Sequence, residues 1–281
     1  MDTSRIHEFE LTSADGFSLS CARIRAEDAA GGSVLILHGA REEKTRYYEF
    51  GTFLARAGFH VFLMDLRGHG RSTDEQFPPG FMDGWESLTG DILTLARYAK
   101  SQYDLPLFLF SHSFGTVLAR CFLRGRDDLL DGLVMSSTVR FIPSTFLAVP
   151  AARVITRLMG KYGHAPLLMR FGDPGSDEGG YQFCNAAVVT DWSAIRELGR
   201  RKRIFARNPS LPILSVTGED DPATGGSRGL MRSFDLLRRC GWRNIRSIVY
   251  PGMSHSLIHE TKKECVWTDV AEFLSSAAAR S

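Results

Sequence analysis

Polar residues set just beyond short apolar runs constrain this chain more than any other feature. The runs Ser33–Leu37, His60–Met64, Leu105–Phe110, Pro212–Val216 and Arg246–Tyr250 lead into His38-Gly39, Asp65, Ser113, Asp221 and His255 respectively. Such short runs, rich in Val, Ile, Leu and Phe, predict strands buried on both faces. Gly132–Met135 is a further strand of this kind. Between the runs lie stretches with helical spacing. Tyr47–Ala57 places Phe50, Phe53 and Leu54 on one side and stops at Gly58; Trp85–Lys100 does the same with Leu88, Ile92, Leu95 and Ala96. Helices are also predicted after Ser113, closed by Gly125, over Ser227–Cys240 with Gly241 as its stop, and over Glu264–Ala278. Strands alternating with helices imply a mainly parallel sheet covered on both faces. On such a sheet the working groups gather at the carboxyl ends of the strands. At the N-terminus, Glu8–Leu11 and Phe17–Ile24 flank Ala14-Asp15-Gly16 and predict a hairpin.

The rhythm stops between about Val139 and Asn208. There, apolar helix-like pieces are broken by Pro143, Pro150, Pro166 and the run Gly172-Asp173-Pro174-Gly175. We read residues 139–208 as a helical cap inserted into a core built from residues 1–138 and 209–281. Within it, Ile142, Phe146, Leu147, Val149, Val154, Ile155, Leu158 and Met159 are equally consistent with an acyl pocket and with plain helix packing. The basic run Arg200-Arg201-Lys202-Arg203 interleaves with Trp192, Ile195, Leu198 and Phe205 at helical spacing. It reads as the solvated face of an amphipathic helix, with transient contact to an anionic membrane surface as the second reading.

A formal charge of +2 over 281 residues is too small to point to nucleic acid. No apolar run is long enough to cross a membrane. Met1–Glu10 carries charges throughout, which predicts no signal peptide. The five cysteines, Cys21, Cys121, Cys184, Cys240 and Cys265, form no C-x-x-C pair. That spacing predicts neither a disulfide framework nor a zinc site, and fits a reducing, cytoplasmic setting.

Ser111-His112-Ser113-Phe114-Gly115 has the form small-x-Ser-x-small between a strand and a helix. A serine on so tight a turn projects its oxygen from the end of the sheet, and only small flanking residues leave room for the turn. The helix that follows aims its first N–H groups at any oxyanion formed beside that serine. A serine hydroxyl needs a base, and the base needs an orienting carboxylate. The turn Thr217-Gly218-Glu219-Asp220-Asp221-Pro222 supplies acids, and Pro251-Gly252-Met253-Ser254-His255 supplies an imidazole, in the order serine, acid, histidine. Blander readings stand beside this one. Ser113 could be a helix N-cap. Glu219 and Asp220 rival Asp221, and His259 rivals His255. His112 reads as a pocket wall, and His69 and Asp65 as loop hydrogen-bonders.

The stretches "LILHGAREEKTRYYEFGTFLARAGFHVFLMDLRGHGRS", "LFLFSHSFGTVLA", "PILSVTGEDDPATG" and "VYPGMSHSLIHETKKECVWTDVAEFL" resemble the α/β-hydrolase superfamily. Within it they are similar to the serine aminopeptidase S33-type group, which includes monoacylglycerol lipases and lysophospholipases. The resemblance implies an α/β-hydrolase fold with Ser113 as nucleophile, Asp221 as acid and His255 as base. It assigns the oxyanion hole to the backbone N–H groups of Ala40 and Phe114. It implies hydrolysis of a small acyl ester or lipid through an acyl-enzyme, without metal or organic cofactor. An amide hydrolase, thioesterase or acyltransferase with the same triad, or a silent binding protein, are the alternatives. Two departures stand out: Ser111 occupies a position usually held by glycine, and Asn208-Pro209-Ser210 runs almost directly into the strand at Pro212.

Overall fold

The computed structural model describes residues 5–81, 84–139 and 205–281, together with the isolated positions 154, 157 and 158. The N-terminal hairpin forms as expected. Strands β1 (Ile6–Thr12) and β2 (Ser18–Ile24) pair antiparallel, with Ile6 opposite Ile24 and Thr12 opposite Ser18. The chain then enters the alternating part: β3 (Gly32–Leu37), α1 (Tyr48–Arg56), β4 (Phe59–Met64), α2 (Trp85–Gln102), β5 (Leu107–His112), α3 (Phe114–Phe122) and β6 (Gly132–Ser136). After residue 204 it resumes with β7 (Ile213–Gly218), α4 (Gly226–Arg239), β8 (Ile245–Tyr250) and α5 (Lys263–Ala278).

These strands make one eight-stranded sheet in the order β1-β2-β4-β3-β5-β6-β7-β8. β2 runs antiparallel to β4, and all pairings from β4 through β8 are parallel. The alternation of side chains explains why the central strands read as unbroken apolar runs. Leu35 and Leu37 of β3 and Leu107 and Leu109 of β5 face one cluster, with Leu88, Ile92 and Leu95 of α2 and Val117 and Leu118 of α3. Val34, Ile36, Phe108 and Phe110 face the other, with Phe50 and Leu54 of α1 and Val266, Val270 and Leu274 of α5. Full burial of each such side chain is worth roughly 1.5–3 kcal/mol. Both faces must therefore be apolar, and the period of two expected of a half-exposed strand disappears.

The observed elements differ from expectation only at their ends. β7 runs two residues beyond Val216, and a short 3-10 turn, Lys44–Tyr47, precedes α1. The proposed cap lies outside the described residues except at its margins and at positions 154, 157 and 158. Among the residues expected to line an acyl pocket, Val154 and Leu158 are described, and both are exposed. The basic run at 200–203 is likewise outside the described residues. Of the four described cysteines, three are buried and Cys265 is exposed. Among the described residues, no helix is long and apolar enough to cross a membrane.

Two buried ion pairs fasten the loops at the carboxyl end of β4. Lys44 Nζ lies 2.8 Å from Asp65 Oδ2, and both side chains are 1% exposed. Asp65 also accepts the backbone N–H groups of Lys44 and Arg71. Arg67 holds Asp91 through Nε and Nη2 at 3.0 and 2.7 Å, and reaches Asp15 at 2.6 Å. Its guanidinium lies between the rings of Phe17 and Phe77, at 4.5 and 4.7 Å.

Candidate active site

The turn after β5 carries Ser113 at φ 49°, a left-handed conformation rare for a residue with a side chain. Ser113 occupies the N-cap position of α3, but its side chain makes no capping hydrogen bond. The hydroxyl is free to point off the end of the sheet. The turn closes because Gly115 has no side chain: a Cβ there would sit 2.9 Å from the Leu37 carbonyl and 3.0 Å from that of His38. Ser111, where a glycine was the usual residue, turns its hydroxyl sideways to the Val134 carbonyl of β6 at 3.0 Å. It is fully buried, and its hydroxyl satisfies itself in the sheet rather than crowding the turn.

Two loops from the far side of β6 bring the partners. His255 Nε2 lies 2.8 Å from Ser113 Oγ, and His255 Nδ1 lies 2.9 Å from Asp221 Oδ1. The Ala223 N–H donates to that same Asp221 oxygen at 2.8 Å. The two loops are pressed together at Gly218, where a Cβ would come within 2.2 Å of the Met253 carbonyl and 2.3 Å of that of Ser254. Asp221 is buried, whereas Glu219 and Asp220 are exposed. Burial alone would raise the Asp221 carboxyl, but the hydrogen bond and charge of His255 outweigh it and hold it below its ordinary value. A hydroxyl bonded to an imidazole that is oriented by a buried carboxylate can give up its proton as it attacks a carbonyl.

The other histidines fall outside this chain of contacts. His259 is not joined to Ser113; its ring stacks edge-on against Tyr47 at 5.1 Å, and burial pushes it down. His112 bonds through Nδ1 to Ser136 Oγ at 3.1 Å, and its ring lies 5.2 Å from that of His255. Burial lowers its pKa to about 4, so it is neutral at pH 7. His69 is pushed down to about 3, burial being the main cause.

On the β3 side, the His38-Gly39-Ala40 turn runs past the serine. His38 accepts the Leu66 N–H at Nε2 and reaches the Gly39 carbonyl through Nδ1 at 2.7 Å. The Gly39 N–H donates to Glu42 Oε2 at 2.7 Å, and the Tyr47 hydroxyl donates to the same oxygen at 2.6 Å. Among the described residues, the Ala40 N–H has no hydrogen-bond partner. Phe114 opens α3 directly after Ser113. No group of three or more His, Cys, Asp or Glu side chains converges on a metal-binding arrangement among the described residues.

Sequence reasoning missed two sets of residues. Glu42 and Tyr47 hold the β3 turn, although nothing in the spacing of that charged loop marked them. The second set is the run Ser136-Ser137-Thr138 after β6. Ser136 O accepts the Ser113 N–H at 3.0 Å, and Thr138 Oγ1 meets Ser215 Oγ of β7 at 3.1 Å. The signal in the sequence was only that three hydroxyl residues end a buried strand, where each needs a partner; which partner each meets is set by folding.

The family described as serine aminopeptidase, S33, matches residues 28–178. Human monoglyceride lipase is 27% identical over 161 residues, which is 56% of this chain and 52% of that protein, so the match spans about half the length of the relative. Monoacylglycerol lipase of Mycolicibacterium smegmatis is 23% identical over 261 residues, covering 87% of this chain and 88% of its own length. A thermostable carboxyl esterase of Bacillus coagulans, solved with glycerol, superposes with a TM-score of 0.81 at 21% identity, covering 98% of this chain and 100% of the esterase. At that identity the superposition establishes the α/β-hydrolase fold.

Proposed function

The chain belongs to the serine aminopeptidase S33 family, and from that premise we propose that it is a serine hydrolase of carboxylic esters. One observation carries the reading: the unbroken line from Ser113 through His255 to Asp221, with separations of 2.8 and 2.9 Å. His255 takes the Ser113 proton as Oγ attacks the ester carbonyl. The carbonyl π electrons move onto oxygen, where the N–H groups of Ala40 and Phe114 receive the negative charge. The tetrahedral species collapses, His255 gives its proton to the departing alcohol, and the acyl group stays on Ser113. Water, deprotonated by His255, attacks the acyl-enzyme; the second tetrahedral species breaks its bond to Oγ, His255 returns the proton to Ser113, and the carboxylic acid leaves. Asp221 orients the imidazole throughout and balances its charge.

The monoacylglycerol lipase relative that covers most of the chain and the sequence resemblance together support a substrate with a single acyl chain esterified to a small polar alcohol, of the monoacylglycerol or lysophospholipid type. We assign residues 139–208 to a cap over the strand ends, supplying the apolar wall for that chain, and place the protein in the cytoplasm. Intact mass after treatment with a fluorophosphonate tests the reading. One adduct, lost in a folded Ser113→Ala protein together with p-nitrophenyl ester hydrolysis, is the expected result. Turnover by Ser113→Ala close to wild type would exclude the mechanism. A panel of monoacylglycerols, lysophospholipids, thioesters and aminoacyl anilides ranks the leaving groups, and preference for the anilide would transfer the assignment to amide hydrolysis.

A further inference from the structure

Ser137 stands where the nucleophile, acid and base loops meet. Its backbone has φ 53° and its side chain is fully buried. Its N–H donates to the Val216 carbonyl of β7, at 2.9 Å. Its hydroxyl donates to the carbonyl oxygen of His255 at 2.6 Å, across 118 residues of sequence. The bonds that the Asp221 carboxylate accepts from His255 and Ala223 both fall on Oδ1, and its buried Oδ2 has no hydrogen-bond partner among the described residues. Glycine would adopt this left-handed conformation without strain but would bring no donor.

We propose that Ser137 is a positioning residue of the triad, its hydroxyl anchoring the His255 main chain so that one ring reaches Ser113 and Asp221 together. The proposal rests on the hydrolase reading above. The hydroxyl has one proton, and it goes to the His255 carbonyl, fixing the backbone of the base beside the acid that orients its ring. The titratable groups at this point are His255 from the loop after β8, Asp221 bonded to its ring, and His112 from the end of β5, whose ring lies 5.2 Å from that of His255.

The pair Ser137→Gly and Ser137→Ala separates hydroxyl from backbone. Both lose the donor; alanine keeps the strain that serine already carries at this φ, and glycine relieves it. The expected result is that Ser137→Gly melts within a few degrees of wild type, yet loses about three- to tenfold in kcat, the scale for one neutral hydrogen bond. KM should stay within about twofold, because the hydroxyl acts on the base rather than on bound substrate. A Ser137→Gly protein with wild-type kcat overturns the proposal, whatever its melting temperature. So does a loss of kcat confined to one of the two variants, since both lack the hydroxyl. A wild-type protein that takes no fluorophosphonate on Ser113 overturns the hydrolase reading and this proposal with it. Normal labelling of wild type and Ser137→Gly at equal rates overturns the proposal alone.

Discussion

Two acid–base pairs lie near the carboxyl ends of the strands, and their surroundings set them apart. Lys44 and Asp65 are each 1% exposed, with Asp65 bonded to two further N–H groups. Asp221 is as deeply buried as Asp65, but its partner His255 is 33% exposed and also touches a hydroxyl. In the first pair every charge has its partner within the fold, so the pair can only hold loops in place. The second joins a sealed carboxylate to an imidazole that reaches the surface and can exchange protons. A buried pair fastens; a pair with one open end is equipped to react.

The sharpest break in that comparison is expected at Asp221. Asp221→Asn should lower kcat by about 10⁴, the scale for losing the orienting carboxylate of such a triad, while the melting temperature moves little. Steady-state kinetics on a p-nitrophenyl ester would show it, and retention of most activity would remove Asp221 from the proposed mechanism. Asp65→Asn should behave in the opposite way. It strands the buried Lys44 ammonium and should cost about 3–5 kcal/mol of stability by urea titration. The protein that remains folded should label with fluorophosphonate at a rate within severalfold of wild type.

Acid should act next, through the sealed histidines. The folded-state pKa values of His69 and His112 are lowered to about 3 and about 4. Between those values and the ordinary value of 6.5, the unfolded chain binds more protons than the folded one. Stability is therefore complete above about pH 6.5 and falls as pH drops toward 4, each group contributing about 2 kcal/mol of loss between pH 7 and pH 5. His69→Asn should flatten that slope, and an unfolding midpoint that stays constant from pH 7 to pH 5 would contradict it. The smallest effect is expected at Asp220, exposed beside Asp221. Asp220→Asn should change stability by less than about 0.5 kcal/mol and leave kcat near wild type. A crippled Asp220→Asn would move the acid by one residue.

Much of the fold was legible because the buried strands announce themselves as apolar runs, and helix stops such as Gly58 and Gly241 are local signals. Ser113, Asp221 and His255 could be picked out because each follows such a run. Choosing Asp221 over Asp220 needed the family resemblance, since adjacent acids on one turn have the same local chemistry. Glu42, Tyr47 and Ser137 were not legible as parts of the site. Their roles come from partners brought near by folding: Tyr47 hydroxyl to Glu42, and Ser137 hydroxyl to a carbonyl 118 residues away. A hydroxyl or carboxylate carries no mark in sequence of the backbone group it will meet.

The spread of the site along the chain also bears on when it comes into being during synthesis. The hydrogen bond between His255 and Ser113 spans 142 residues, and the contact of Thr138 with Ser215 spans 77. A nascent chain that has emerged as far as β6 already contains the serine elbow, with its helix and most of the sheet. It lacks both strands that carry the acid and the base. Pairings this distant in sequence form late, because closing such loops costs entropy before any contact compensates. On the proposed mechanism the serine is therefore present on the ribosome long before anything can deprotonate it, and reactivity arrives only when the last parallel strand has docked.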